Sequence, residues 1–484
     1  MSLSATLKSI QNIMRKDTGV DGDAQRISQL VWMLFLKIFD DKETEYEFLY
    51  EGSYRSPIPE ELRWRNWAAD DEGMTGDPLL SFLNNELFPR LKELPSTSPK
   101  DPANIVRGIF EDSYNYMKSG TLIRQVVNKI NEGIDFTTSQ ERHLFNDIYE
   151  KLLKDLQSAG NAGEYYTPRA VTQFVVQMVN PRLGERIWDP ACGTGGFLVN
   201  AIGHIRSQHK IATLEERETL QNAIVGIEKK PLPHMLATTN FILHGIELPS
   251  IRRDNLLEQS LTTWTQHSRV DVVITNPPFG GMEEDGVEKN FPAAFQTRET
   301  ADLFLYLILH MLKPGGRAGL VLPDGSLFGE GVKTRIKEKL LAECNLHTIV
   351  RLPNGVFSPY TGIKTNLLFF TKGEPTQDIW YYEHPYPPGA KSYNKTKPIR
   401  IEEFDAEKAW WSTRVENEQA WKVSLADIQA RGYNLDIKNP HSVAENLGDP
   451  DELLSEYQTL MQEITAMRHQ LRDELAAALA KSAP

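Results

Sequence analysis

Asp189-Pro-Ala-Cys-Gly-Thr-Gly-Gly-Phe197 is the stretch on which the reading of this 484-residue chain turns. It follows a short apolar run at 186–189 and leads into Leu198-Val-Asn-Ala201, which reads as helix. A glycine-rich turn from strand to helix lets the backbone approach a ligand closely, because no Cβ stands in the way. Two phosphate sites fit poorly. Gly193-Thr194-Gly195-Gly196 lacks the third glycine of a dinucleotide fingerprint, and no Gly-Lys-Ser/Thr follows as in a P-loop. A ligand with an amino-acid end, an adenosine end and no phosphate suits Asp189 plus bare glycines, and S-adenosylmethionine is such a ligand. The next apolar run ends in Gly226-Ile-Glu228, where a carboxylate can accept both ribose hydroxyls. A solvated strand end is the plain alternative for Glu228 taken alone.

Further apolar runs at 223–228, 270–275, 316–322, 347–352 and 366–371 are each bounded by turn residues. Helical spacing separates several of them, as in Phe304, Leu307, Ile308 and Met311. The alternation predicts an α/β fold: a doubly wound, mostly parallel, Rossmann-like sheet with ligands at the carboxyl ends of its strands. Thr167-Pro168 reads as a helix start, Thr as N-cap and Pro at the first helical position. Upstream, Ile27, Leu30, Val31, Leu34, Phe35, Ile38 and Phe39 form one face of an amphipathic helix, and Leu144, Phe145, Ile148, Leu152 and Leu156 repeat that spacing. Residues 51–103 are rich in Pro, Trp and charge with little periodicity, and 158–163 is a Gly-bearing linker. The expected division is an N-terminal helical domain over 1–157, the α/β domain over 158–440 and a helical tail over 441–484. In the tail Leu453, Tyr457, Leu460, Ile464, Met467 and Leu471 alternate in steps of four and three, a short heptad seam. That seam either packs on this chain's own body or is reserved for a partner.

The second decisive motif is Asn276-Pro277-Pro278-Phe279, at the end of the run Val270-Asp-Val-Val-Ile-Thr275. Two prolines stiffen the chain and remove two backbone donors. What is then expected to face outward is the Asn276 amide oxygen, the Pro277 carbonyl and the ring of Phe279. Two acceptors and an aromatic face suit a planar amine. A purely structural Pro-Pro turn is the competing reading.

Composition narrows the classes. Two cysteines rule out a disulfide framework or a Cys-rich zinc module and fit a reducing cytosol. The longest apolar stretch, 30–36, is broken by Lys37, far short of the roughly 20 residues of a membrane span, so a soluble, cytoplasmic protein is expected. The 11 histidines show no paired metal spacing, and no metal site is expected. A net charge of −13 argues against unaided DNA binding and for a partner or a local basic groove.

The order DPACGTGGF then NPPF resembles N6-adenine DNA methyltransferases whose cofactor motif precedes the catalytic one. Gly163-Glu-Tyr-Tyr-Thr-Pro-Arg169 is similar to their preceding cofactor motif, and nearly the whole chain resembles the modification (M) subunit of Type I restriction–modification systems. Asp21-Gly-Asp-Ala-Gln-Arg26, Leu312-Lys-Pro-Gly-Gly-Arg317, Leu322-Pro-Asp324 and Tyr433-Asn-Leu-Asp436 extend the likeness. Glu164 stands where many relatives have Gln, and either is an acceptor. The resemblance implies an S-adenosylmethionine-dependent methyltransferase domain in which Glu164, Tyr165, Tyr166, Thr167, Pro168 and Arg169 fold over the methionine end of the cofactor. Asp189, Gly193, Thr194, Gly195 and Gly196 would form its cradle, Glu228 would hold the ribose and Asp254 would lie near the adenine. It implies that Asn276, Pro277, Pro278 and Phe279 receive an adenine flipped from double-stranded DNA. After Thr371 too little chain follows for a duplicated target-recognition domain. Recognition is therefore expected from a separate specificity subunit, with two M chains per specificity chain and a place left for a restriction subunit. Cys192 is expected to serve small-residue packing. Neither cysteine follows a proline, which excludes cytosine-C5 chemistry. Residues 280–300 read as a mobile loop or a disordered one. The alternative enzyme is an N-methyltransferase acting on protein glutamine or an RNA amino group. A scaffold without turnover and a nicotinamide oxidoreductase fit less well.

Overall fold

The computed structural model describes residues 3–49, 53–98, 100–134, 167–358, 361–394, 396–441 and 450–481. The helix expected at 144–156, the linker 158–163 and Glu164, Tyr165 and Tyr166 lie outside the described residues. The chain divides into two compact units, Met1–Asn439 and Pro440–Pro484.

Among the described residues nine strands form one sheet: β1 (Ile187–Asp189), β2 (Ile224–Glu228), β3 (Ser250–Arg253), β4 (Val270–Thr275), β5 (Leu312–Pro323), β6 (Cys344–Arg351), β7 (Thr365–Lys372), β8 (Asp378–Glu383) and β9 (Ala420–Ser424). Their order is β3-β2-β1-β4-β5-β7-β6-β8-β9. The first five strands pair in parallel. β7 is antiparallel to both β5 and β6, and β9 to β8. The described residues between β6 and β7 carry turns and no helix, and a parallel return needs a longer crossover, usually helical. β9 was not expected as a strand; five residues at a sheet edge, with Lys422 among them, leave little apolar signal. Strand order reverses direction on either side of β1, so the crevice for a ligand lies at the carboxyl ends of β1 and β4.

The helices that position this crevice are α1 (Leu3–Met14), α2 (Asp23–Leu49), α3 (Gly120–Gly133), α4 (Arg169–Val179), α5 (Gly196–Gln208), α6 (Pro231–Leu243), α7 (Thr300–Met311), α8 (Val332–Glu343) and α9 (Pro450–Lys481). α4 and α5 cover one face of the sheet, α7 and α8 the other. The N-terminal helices close on their own core around Trp32, Phe35, Phe88 and Phe110. That core also takes Met235, Leu236, Ile242 and Leu243 from α6, whose Ala237 and Phe241 enter the sheet core. A helix apolar on all sides is a buried one, and α6 is buried from Pro233 through Leu243. The stretch 51–103, without period in the sequence, holds short helices such as Trp64–Trp67 and Gly76–Phe82. Trp64 and Trp67 are buried edge to face; helices of one or two turns are too short to display a repeat.

Residues 280–300 correct the expectation of a mobile or disordered loop. Val287 and Phe291 are buried, Phe291 and Phe295 pack on Tyr306, and Met282 bridges to Glu299. The buried Glu283 carboxylate accepts from the Thr300 hydroxyl at 3.1 Å. The segment is a strap that returns from the end of β4 to α7. Its three apolar anchors are diluted by charge, so no run marks it.

In α9 the side chains of Tyr457, Leu460, Ile464, Met467 and Leu471 are 43% to 69% exposed. Among the described residues no helix is long and apolar enough to cross a membrane.

Gly319 of β5 lies under α4, where an added Cβ would stand 2.6 Å from both Val175 Cγ1 and Val179 Cγ2. Gly319→Ala should therefore cost about 1–3 kcal/mol through overpacking, measured as a lower unfolding midpoint in denaturant. An unchanged midpoint would show that the α4–β5 contact is slack.

Candidate active site

β1 ends at Asp189, and the chain then winds through a turn held by its own backbone. Cys192 N–H donates to the Ile227 carbonyl at 2.8 Å and Gly195 N–H to the Cys192 carbonyl at 2.8 Å. Gly193 (φ 52°) and Gly195 (φ 79°) are left-handed, a conformation glycine adopts without a Cβ penalty. A Cβ on Gly193 would meet nothing within 4 Å, whereas one on Gly195 would stand 3.1 Å from the Phe241 ring of α6. Gly195 is thus required by the fold, and Gly193 leaves backbone bare. Asn240 of α6 donates from Nδ2 to the Thr194 carbonyl at 3.3 Å, and Asn200 of α5 donates to the Gly196 carbonyl at 3.0 Å. Neither asparagine was singled out in the sequence; only packing reveals them.

Glu228, at the end of β2, is bound into this turn. Its Oε2 accepts from Gly193 N–H at 2.9 Å and its Oε1 from Lys230 N–H at 2.8 Å. The reading of Glu228 as a merely solvated strand end does not survive this geometry. Asp254 N–H donates to the Glu228 carbonyl at 3.0 Å, and the Asp254 carboxylate accepts from the Gln259 amide. Its neighbour Arg253 pairs instead with Glu111 and Asp112 of the N-terminal helices, so Asp254 stands apart from that ion cluster.

Asp189 is 1% exposed, with Oδ1 accepting from Ala191 N–H at 3.1 Å. Burial raises its pKa from 3.8 to about 7, the Thr275 hydroxyl and Ala191 N–H lower it, and the charge of Glu228 raises it. It therefore lies beneath the turn as a support. Cys192 is also buried, and burial with the two nearby carboxylates pushes its thiol well up. Its Sγ fills the space beside Gly226, 3.0 Å from where a Cβ there would stand. Packing is its role.

Asn276 follows β4, whose Thr275 lies level with Leu320 of β5. Its Nδ2 donates to Thr167 Oγ1 at 2.8 Å, while its Oδ1 is buried with no hydrogen-bond partner among the described residues. Pro277 is buried and Pro278 half-buried. Phe279 corrects the expectation of an outward-facing ring: it is 5% exposed and meets Phe357 edge to face at 6.3 Å. Phe357 comes from the segment after β6, which no local pattern links to β4. Thr167 corrects another. The N-cap of α4 is Pro168, which makes no side-chain cap bond, and the helix begins at Arg169. The Thr167 hydroxyl is spent on Asn276 instead. The structure thus gathers Thr167, Asp189, Gly193–Gly196, Glu228, Asp254 and Asn276–Phe279 at the carboxyl ends of β1 to β4. No group of three or more His, Cys, Asp or Glu residues suited to a metal occurs among the described residues.

The raised pKa of Asp189 has a testable sign. The native state keeps this proton between about pH 4 and 7, where the unfolded chain has lost it, so stability falls as pH rises through that window. Asp189→Asn should gain stability relative to the unsubstituted chain as pH is raised from about 5 to about 8, followed by thermal unfolding. A difference independent of pH would place the titration in the ordinary carboxylate range.

Comparison with known proteins gives the family. Residues 140–448 match the family model for N-6 DNA methylase, and residues 3–130 match that for the HsdM N-terminal domain. The Type I restriction enzyme EcoEI methylase subunit of Escherichia coli is 62% identical over 489 residues, covering 99% of each chain. The modification subunit of a putative type I restriction enzyme from Vibrio vulnificus YJ016 superposes with a TM-score of 0.83 at 46% identity, over 91% of this chain and 97% of that one. A chain from a type I R-M system, solved to explain complex assembly and conformational transition, superposes with a TM-score of 0.78 at 36% identity, over 100% and 99%. A glycine turn, an acceptor-bearing Asn-Pro-Pro-Phe and this degree of likeness along the whole chain lead to one assignment: the chain belongs to the N-6 DNA methylase family, among the methylase subunits of Type I restriction enzymes.

Proposed function

We propose that this chain methylates the N6 amino group of an adenine flipped out of double-stranded DNA, with S-adenosylmethionine as donor and a separate specificity subunit reading the sequence. The observation that carries the reading is the buried Asn276 Oδ1, which has no hydrogen-bond partner among the described residues, beside Pro277 at the carboxyl end of β4. A buried acceptor without a donor is costly, and an exocyclic amine supplies donors of the right kind. Asn276 Oδ1 and the Pro277 carbonyl accept the two amino hydrogens and draw electron density toward the nitrogen, so that its lone pair points at the methyl. Pro278 keeps the turn rigid, and Phe279, braced by Phe357, forms the aromatic wall against the base. The adenine must leave the duplex, because its amino group is otherwise paired and out of reach. No nucleophilic side chain is required.

The residues opposite fit the cofactor. Bare backbone at Gly193 and the cradle at Thr194–Gly196 leave room for its amino-acid end. Glu228 brings a two-oxygen acceptor to the end of β2, the kind of group that suits ribose hydroxyls. The backbone bond from Asp254 N–H to the Glu228 carbonyl supports the reading of Asp254 as a residue near the adenine. Residues 164–169 would cover the methionine end. When bound, S-adenosylmethionine supplies an electrophilic methyl; the chain supplies position.

Partnership rests on charge and on α9. A chain of net charge −13 is poorly suited to holding a duplex alone. The exposed seam Tyr457, Leu460, Ile464, Met467 and Leu471 suits helix packing against the specificity subunit, in an assembly of two M chains per specificity chain that also accepts a restriction subunit.

Asn276→Ala should abolish transfer of tritiated methyl groups to plasmid DNA while calorimetry still shows cofactor binding. Near-normal labelling would sink the assignment. Removal of residues 451–484 should weaken co-purification with the specificity subunit, and an unchanged complex would show that the tail has another task.

A further inference from the structure

The side-chain amide of asparagine has one accepting end and one donating end of nearly the same shape. Only one orientation of Asn276 can receive an amine. Turned over, it would set N–H against N–H. Within the described residues, the Thr167 hydroxyl, which can accept or donate, accepts the Nδ2 hydrogen at 2.8 Å and so engages the amide in the orientation that leaves Oδ1 for the incoming base. Thr167 is itself well held. Pro168 confines the residue before it to extended backbone, and α4 behind it buries Ala170, Val171, Phe174 and Val175. Phe174 stacks on Phe404 at 4.4 Å, and Asn200 of α5 donates to Thr172 Oγ1 at 2.7 Å. The hydroxyl is thus fixed to the same frame as the glycine turn.

We propose that Thr167 is a positioning residue for methyl transfer: its hydroxyl holds the Asn276 amide with Oδ1 toward the target amine. This rests on the function proposed above and differs from the role the family resemblance gives Thr167, which is contact with the cofactor's methionine end. The two roles separate in kinetics. Loss of an amide-orienting bond lowers kcat, because the base still enters but its amine is presented to the wrong end. Loss of a cofactor contact raises the cofactor's dissociation constant.

The test compares Thr167→Val, Thr167→Ala and Thr167→Ser with the unsubstituted chain and Asn276→Ala, each purified with the specificity subunit. Single-turnover methyl transfer to plasmid DNA and calorimetry with S-adenosylmethionine are the readouts, with the unfolding midpoint as a check on folding. The expected result is a kcat about tenfold or more lower for Val and Ala, cofactor and DNA affinities within about twofold of the original, and most of the activity kept by Ser. The alanine variant carries the test should valine strain the backbone before Pro168. Unchanged kcat in Val and Ala, a loss recovered at saturating cofactor, or a Ser variant as slow as Val would each overturn the proposal. An inactive unsubstituted complex, or an active Asn276→Ala, would instead overturn the proposed function itself.

Discussion

The hydrogen bonds from Gly193 and Lys230 N–H to the Glu228 carboxylate are the joint on which the site depends. The first ties the turn after β1 to the end of β2, two strands that their ladder holds in register only as far as Gly226, and the second fixes the carboxylate to the chain that follows β2. Beyond that point the chain would be free to splay. A charged acceptor makes the stronger kind of bond, and here it holds two backbone amides at once. The Cys192 N–H to Ile227 carbonyl bond adds a second tie between the turn and β2. Glu228 therefore shapes the glycine turn beside it.

α6 extends that joint into the rest of the molecule. Its Phe241 lies against Gly195 and its Asn240 reaches the Thr194 carbonyl, while Met235, Leu236, Ile242 and Leu243 belong to the N-terminal core. The N-terminal helices and the glycine turn thus share one rigid element. Interiors packed at crystal density transmit displacement, so a force applied to the helical layer would be felt at the turn. On the opposite side of the sheet, the strap 280–300 plays a comparable part. Glu283 receives Thr300 Oγ1 at 3.1 Å and Asn255 Nδ2 at 3.4 Å, joining the chain after Phe279 to the residue after Asp254.

Much of this was legible in the residues. The apolar runs of β1, β2 and β4 to β7 and the two short motifs stand out because strand burial and glycine conformation are local requirements, visible within a few residues. Other features were not legible. β9 is too short and too near an edge to show an apolar run. The strap's anchors Val287, Phe291 and Phe295 are isolated apolar residues, the first two separated by Glu288 and Lys289 and the last two by Pro292-Ala-Ala294. Phe279 was expected to face outward because nothing near it in the chain announces Phe357.

The sequence by itself determined the α/β class and the order of β1, β2 and β4 to β7, since these follow from periodicity. The tertiary structure alone decided how the site's side chains are aimed. Thr167 reads as a helix cap in isolation and becomes the partner of Asn276 only when residues 109 positions apart are brought to the same strand end. A propensity belongs to a segment, whereas a hydrogen bond between distant side chains exists only after the core that fixes both has formed.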